Sequence, residues 1–456
     1  MNTTLIVLIT YLLFTFLIAW IFSRKESIEG YFLNKKKTSL WLMMFSSVAT
    51  IVGAGATVAI VSEVYNSGIS YGLALPISLV AGVIILGIVA KKIKQVGDKY
   101  NAYTIVDFFY KRFDVKNKML TTILQLFILI IWIGIQAIAI SSLISVLTGL
   151  DYYVALILTA IVTIAYTTIG GLKIDIITDF IQFWIIFIMF IIISIFGYFH
   201  VGGISNLISN LPKGHLNPFA FGGVGWFVGA IILSGFIYLG NTSHWQRIFS
   251  AKNENVARKS FYLTIPFILV LGVLILFMGL VASVSLTGIK QETAIFSLII
   301  KILPPWLAGL GFASILAVIM SSVDSLLIGG STIIYKTLFK KKEIQGKKGM
   351  IYARIITGIF GVLGFLIAFL VPNIITLSLL VTYLTLIFVP PVIAGLYSKK
   401  TSSNASFWAI LIPTIVLFIF FSSFGKNIFL LTTLLSTLIV IFYDKIFKKS
   451  PASQKF

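Results

Sequence analysis

The stretch Ser314–Lys336, SILAVIMSSVDSLLIGGSTIIYK, is apolar enough to cross a membrane, yet it sets Ser321, Ser322, Asp324 and Ser325 within five consecutive positions. At about 100° per residue, Ser321, Asp324 and Ser325 share one face of a helix, with Ser322 at its margin. A serine in a membrane helix ordinarily bonds a carbonyl one turn back, and Ser314 and Ser331 are read that way. Asp324 is different, because an unpaired aspartate at mid-bilayer costs at least ~2.5–3.5 kcal/mol on insertion scales. Such residues usually face a cavity and bind an ion or a proton.

Around this stretch, long apolar runs alternate with short basic links across 456 residues, and the mean hydropathy is +1.05. The fold class is therefore an all-α polytopic membrane protein; the alternating ten-residue segments of a β-barrel do not occur. Apolar runs of spanning length predict about thirteen helices: 3–23, 40–64, 69–91, 119–148, 152–170, 172–198, 221–246, 256–283, 305–336, 350–371, 373–397, 404–422 and 427–445. The first has no charged leader and is too long for a signal peptide, so it reads as an uncleaved span with the N-terminus outside.

The formal net charge of +21 would suggest nucleic-acid binding in a soluble chain. Here the basic residues lie in the links, where they set topology. With the N-terminus outside, 31 of the 35 Lys and Arg fall on the cytoplasmic side, all but Lys213, Lys290, Lys301 and Lys426. The absence of cysteine excludes disulfides and thiol chemistry. His200, His215 and His244 have no metal-ligand spacing.

Predicted spans two to six and seven to eleven form two groups of five. An odd-numbered repeat in tandem must be inverted, and transporters of that kind place their site at interrupted helices that open each half. Span two carries Gly53 and Gly55, and span seven carries Gly235 and Gly240. The domain reading is an extra helix in 1–30, a first repeat in 31–200, a second in 201–400, and two C-terminal helices with a basic tail in 401–456.

Asp179 in span six is the second acid placed well inside a span. Asp175 reads as a solvated end residue, Glu63 as able to reach water, and no arginine is expected at mid-membrane. Hydroxyls, a carboxylate and carbonyls freed at a helix break are hard oxygen ligands that suit Na⁺. Carbonyls from Ala49 to Val52, with Ser321 and Ser322, form the candidate shell. Thr50, Gln136, Ser234, Tyr238 and Asn241 are candidate solute contacts by position and polarity. Phe236 and Tyr238 are read as gates or as packing aromatics, and Gln136 equally as a helix-to-helix hydrogen bond.

Several segments in order, EGYFLNKKKTSLW, TIVDFFYKRF, AYTTIGGLKIDIITDFIQ, WQRIFSAKNENVARK, AVIMSSVDSLL and GLYSKKTSSNAS, resemble the sodium:solute symporter family. That resemblance implies the leucine-transporter fold, a five-plus-five inverted repeat with one extra N-terminal helix and, here, two extra C-terminal ones. It implies Na⁺-coupled uptake of a small polar solute by alternating access, family members carrying proline, sugars, sialic acid, pantothenate or monocarboxylates. It also implies a sodium site of Ala49, Val52, Val318, Ser321 and Ser322. A second cation or proton site would use Asp179, Asp324 and Ser325, with Ser321 shared. The partners expected are the solute, Na⁺ and the plasma-membrane bilayer, with function as a monomer. The competing readings are proton coupling through Asp179 or Asp324, and a membrane sensor, against which the short tail KIFKKSPASQKF is set. A membrane enzyme is weaker still, because the buried acids have no His or Cys companion.

Overall fold

A backbone that crosses a bilayer must satisfy its own N–H and C=O groups, so apolar runs of this length become helices. The computed structural model describes residues 2–23, 27–339 and 346–447. Among them all regular structure is helical, apart from an isolated bridge between Thr38 and Ala251.

The principal helices are α1 (Asn2–Ser23), α2 (Leu40–Ile51), α3 (Val58–Ser67), α4 (Ile69–Tyr100), α5 (Val115–Thr148), α6 (Tyr152–Gly170), α7 (Leu172–His200) and α8 (Gly223–Leu233). They continue with α9 (Thr242–Ser250), α10 (Glu254–Ser285), α11 (Pro305–Leu338), α12 (Gly346–Leu370), α13 (Ile374–Ile387), α14 (Val389–Tyr397), α15 (Ser403–Phe424) and α16 (Ile428–Ile446). By length and apolarity ten described helices can cross a membrane, or eleven when the bent pair Leu40–Ile51 and Ala54–Ser67 counts as one span. That count treats Ser403–Ile446 as one span, although a 3-10 turn at Gly425–Asn427 separates α15 from α16.

Two packed groups surround the centre. In one, α10 runs along α4 and against α3, and α8 packs on α4; in the other, α12 lies on α5 and α6, and α11 lies on α5. Gly235 shows how tightly span seven joins the first group: a Cβ there would stand 2.6 Å from the Ser78 carbonyl oxygen. α11 also packs on α7 and α1, and 89% of its most apolar window is buried. Isolated Leu, Ile and Phe side chains such as Ile123, Ile161 and Phe199 line the outside, as a lipid-facing surface requires. The opening stretch thus lies on the most enclosed of the described helices long enough to cross a membrane, which is why its polar side chains must find partners inside. Ser314 and Ser331 do so as expected, bonding Gly311 O at 2.7 Å and Ile328 O at 3.1 Å.

Candidate ion and solute site

The second span breaks where the glycines predicted it. α2 ends at Ile51, Val52 leaves helical geometry, Gly53 is extended, and a 3-10 turn over Ala54–Ala56 leads into α3, with the two halves inclined at 65°. Gly53 is required by close approach, since a Cβ there would lie 2.2 Å from Ser322 Oγ. The break therefore rests directly on α11. Ser321 Oγ lies 3.0 Å from Ala49 O and 2.9 Å from Val318 O, and Ser322 Oγ donates to Thr50 O at 3.2 Å. Four of the five residues assigned to the first sodium site thus meet at one point, and Val52 stands at the end of the same turn. Thr50, read from sequence only as a solute contact, also brings its carbonyl to this cluster.

Beside it is a cavity of about 100 Å³ whose lining includes Thr50, Gln136, Ser234, Tyr238, Asn241 and Ser322. All five candidate solute contacts share this one space. Gln136 Oε1 accepts from Ala54 N–H at 3.0 Å, so the glutamine also caps a donor freed by the break. Asn241 Oδ1 accepts from Ser243 N–H at 2.9 Å and starts α9 after the second break. Trp132, His244 and Ser378 add to the polar lining and are absent from the sequence-based candidates. Trp132 Nε1, Tyr238 Oη, His244 Nδ1 and Ser378 Oγ have no hydrogen-bond partner among the described residues. Phe236 and Tyr238, paired in the sequence reading, separate: Tyr238 faces this cavity, whereas Phe236 lines a different one on the far side of span seven.

The structure corrects three expectations, two of them one turn of α11 beyond the first cluster. Arg247 is 1% exposed, so an arginine does lie buried among the helices, beside Asp179. The sequence reading places it in a basic link, but α9 restarts after the break at Asn241 and carries the side chain back into the protein. Asp175 is 2% exposed rather than solvated, because Arg247 and Ser325 cover it. Glu63 is 3% exposed: α3 packs against α10 and the short helix Ala294–Ile302, and Ser67 bonds the carboxylate.

Arg247 Nη2 contacts Asp179 Oδ2 at 3.1 Å, Asp175 Oδ2 at 3.3 Å, Ser325 Oγ at 2.6 Å and the Thr50 hydroxyl, while Nε bonds Ser46 Oγ at 3.1 Å. Ser46 Oγ in turn donates to Asp179 Oδ2 at 2.5 Å. The residues read as a second cation site are therefore divided. Asp179 and Ser325 meet the guanidinium, whereas Asp324 Oδ1 accepts from Thr167 Oγ1 at 2.5 Å. Asp324, Asp175 and Thr167 share a cavity of about 10 Å³, near the space of one water. Asp175 and Asp179 stand four residues apart on one face of α7, a pairing that itself signals a buried cation nearby.

The profile of the sodium:solute symporter family matches residues 31–413. The chain belongs to that family. The symporter is 25% identical over 434 residues to the sodium/pantothenate symporter of Escherichia coli, covering 89% of this chain and 88% of that one. It is 27% identical over 350 residues to the sodium/proline symporter of Staphylococcus aureus, covering 74% and 68%. A Na⁺-coupled sialic acid symporter in a substrate-bound outward-open state superposes with a TM-score of 0.84, at 18% identity and 99% coverage of both chains. A nucleobase-cation-symport-1 family transporter superposes at 0.63 with 11% identity, over 92% of this chain and 95% of that one. These two structures show the leucine-transporter-like fold. The symporter is accordingly a multi-pass membrane transporter, not an enzyme, and Na⁺ is its coupling ion.

Proposed function

We propose that Ala49, Val52, Val318, Ser321 and Ser322 hold the coupling Na⁺, and that the adjoining cavity holds a small organic solute with several acceptor oxygens. One observation carries the reading. The two adjacent hydroxyls of α11 rest on carbonyls of the broken α2, and Thr50 and Ser322 belong both to that cluster and to the cavity wall. An ion bridging α2 and α11 stabilises the very wall that the solute touches, so each raises affinity for the other.

The wall offers neutral donors at Trp132, Tyr238, Gln136 and Ser378. Arg247 is held by Asp175 and Asp179 and is not part of the lining. That chemistry suits a small amino acid or organic acid whose carboxylate is met by neutral groups. The two curated relatives are named for pantothenate and proline, both carboxylates, which supports the same class.

Asp179 and Ser325 serve on this reading as anchors for Arg247. Two buried carboxylates, Asp175 and Asp179, pair with the one guanidinium, and Asp324 is buried beside Asp175 without that contact; the excess negative charge is offset at the small cavity between Asp175 and Asp324, by a proton or a second cation. Thirteen spans, the division at residues 30, 200 and 400, an exterior N-terminus and interior C-terminus, residence in the plasma membrane and function as a monomer complete the proposal. The lysine and arginine asymmetry supports the orientation. Uptake then follows as the group of α2, α4, α9 and α10 rocks against that of α5, α6, α11 and α12.

The test is a melting curve of the purified protein in NaCl against KCl and choline chloride at equal ionic strength. Na⁺ at a hundred times its dissociation constant adds ~2.7 kcal/mol, and Ser321→Ala removes that increment. Equal melting in all three salts, maintained at molar NaCl, overturns the sodium assignment. Labelled amino acids, organic acids and sugars offered to proteoliposomes then identify the solute class.

A further inference from the structure

On the side of span seven opposite Tyr238, a cavity of about 750 Å³ opens between the 3-10 turn Ser234–Phe236 and helices α13, α14 and α16. Away from the helix ends its lining is mostly apolar, with Leu233, Phe236, Leu386 and Val389 beside the hydroxyls of Thr433 and Thr437. Its mouth is polar and carries Lys400 and Lys445. Asp444 also stands there, with Oδ2 engaged by the Ser402 N–H at 2.8 Å. From Thr433 to Lys445 the lining of α16 rises about 18 Å at 1.5 Å per residue. That compares with about 15 Å for the hydrocarbon of one leaflet. The shaft thus runs from the end of the helices, where a headgroup lies, to mid-span, where an acyl chain ends.

We propose that this cavity is a binding site for an anionic phospholipid. One acyl chain lies in the shaft and ends against Leu233 and Phe236, and the phosphate sits between Lys400 and Lys445. Charge decides the choice of lipid. Two lysines face one carboxylate, of which one oxygen is bonded to backbone, so the mouth carries net positive charge and favours an anionic headgroup over a zwitterionic one. The position gives the site a consequence for transport. Phe236 and Tyr238 lie in or beside the same interrupted segment, so an occupied shaft braces from the lipid side the turn that forms a wall of the solute cavity from the other. This inference rests on the cavity and its lysines and is independent of the sodium assignment.

The experiment is native mass spectrometry of the full-length protein, delipidated in neutral detergent and offered equimolar phosphatidylglycerol and phosphatidylcholine, with inorganic phosphate as a competitor. Phosphatidylglycerol is expected to be retained in preference. Lys400→Gln and Lys445→Gln each lower that preference about fivefold, the equivalent of about 1 kcal/mol. Ile393→Trp, which fills the shaft from a partly exposed position, lowers retention of both lipids while leaving the lysines in place. Equal retention of the two lipids, or a preference that survives both lysine changes, overturns the proposal. Inorganic phosphate displacing the lipid at equal concentration does so too, because it marks a phosphate pocket with no role for the shaft.

Discussion

The guanidinium of Arg247 lies 3.1 Å from Asp179 and 3.3 Å from Asp175, and no side chain in either ion pair is more than 1% exposed. The contact joins α9 to α7, and through Ser325 it reaches α11; it therefore ties together the two groups that the proposed rocking separates. Burying such a pair is no simple gain in stability, because desolvation offsets much of the attraction. Its effect is to define one arrangement of the helices and to make partial loss costly.

Arg247→Ala accordingly leaves two carboxylates without their cation and is expected to destabilise the protein by about 3–5 kcal/mol. Arg247→Lys restores the charge but not the fork that meets Ser46, Thr50, Asp175, Asp179 and Ser325 together, so it recovers only part of the loss. Combining Arg247→Gln with Asp179→Asn removes charges of both signs and should be more stable than Arg247→Ala. Melting temperatures of the three variants check this; an Arg247→Ala protein as stable as wild type would refute the role assigned to the pair.

A second expectation concerns the contact between Gly53 and Ser322. Gly53→Ala puts a methyl 2.2 Å from Ser322 Oγ and is expected to push the break off α11, at about 1–3 kcal/mol. Ser322→Ala in the same chain removes the colliding oxygen but leaves its Cβ 3.0 Å away, so stability returns only in part. Na⁺-dependent stabilisation should not return, because Ser322 is itself a proposed ligand. A double variant no more stable than Gly53→Ala alone would show that the clash lies elsewhere.

The position of the break is legible in the sequence because Gly53 and Gly55 weaken an otherwise continuous apolar helix at its middle, where the backbone can open. Ser321, Ser322 and Asp324 are conspicuous there because polar side chains inside such a span need partners. Arg247 is not legible. The segment after the expected interruption reads as the last turn of span seven running into a basic link, whereas the chain pauses at Asn241 and begins a new, amphipathic helix still inside the protein. Asp175 is misplaced for the complementary reason, since a carboxylate one turn from a helix end looks solvated until its cation is known. The signal the sequence does carry is the Asp175–Asp179 spacing, which demands a partner. The aromatic and hydroxyl lining from Trp132, His244 and Ser378 depends on how three separate helices meet, and no local pattern announces it.

Tyr238, Trp132 and Ser378 each present a polar atom that no described residue satisfies. Tyr238→Phe, Trp132→Phe and Ser378→Ala should therefore leave the melting temperature unchanged or slightly raised, since a buried unpaired polar group is a liability. If these atoms meet the solute, uptake of the solute identified by the proteoliposome panel should show KM raised about tenfold for each, equivalent to about 1.4 kcal/mol. Destabilisation without a change in KM would assign the three groups to packing.

Gln136 separates bracing from recognition, because its two amide atoms have different neighbours. Oε1 holds the Ala54 N–H at 3.0 Å, and Nε2 lies 3.5 Å from where a Gly53 Cβ would be, on the side facing Ser322. Gln136→Leu leaves the Ala54 donor buried and unpaired, at about 1–3 kcal/mol, and lets the break relax, so Na⁺-dependent stabilisation should weaken with it. Gln136→Glu keeps the acceptor and therefore the break, but it loses the amide donors and sets a negative charge in the cavity. That variant should still melt later in NaCl than in KCl while uptake of a carboxylate solute collapses. Paired melting and uptake measurements on both variants read the difference. If Gln136→Glu lost the Na⁺ response while Gln136→Leu kept it, the glutamine would be acting on the ion by charge, and its bond to the broken helix would be incidental.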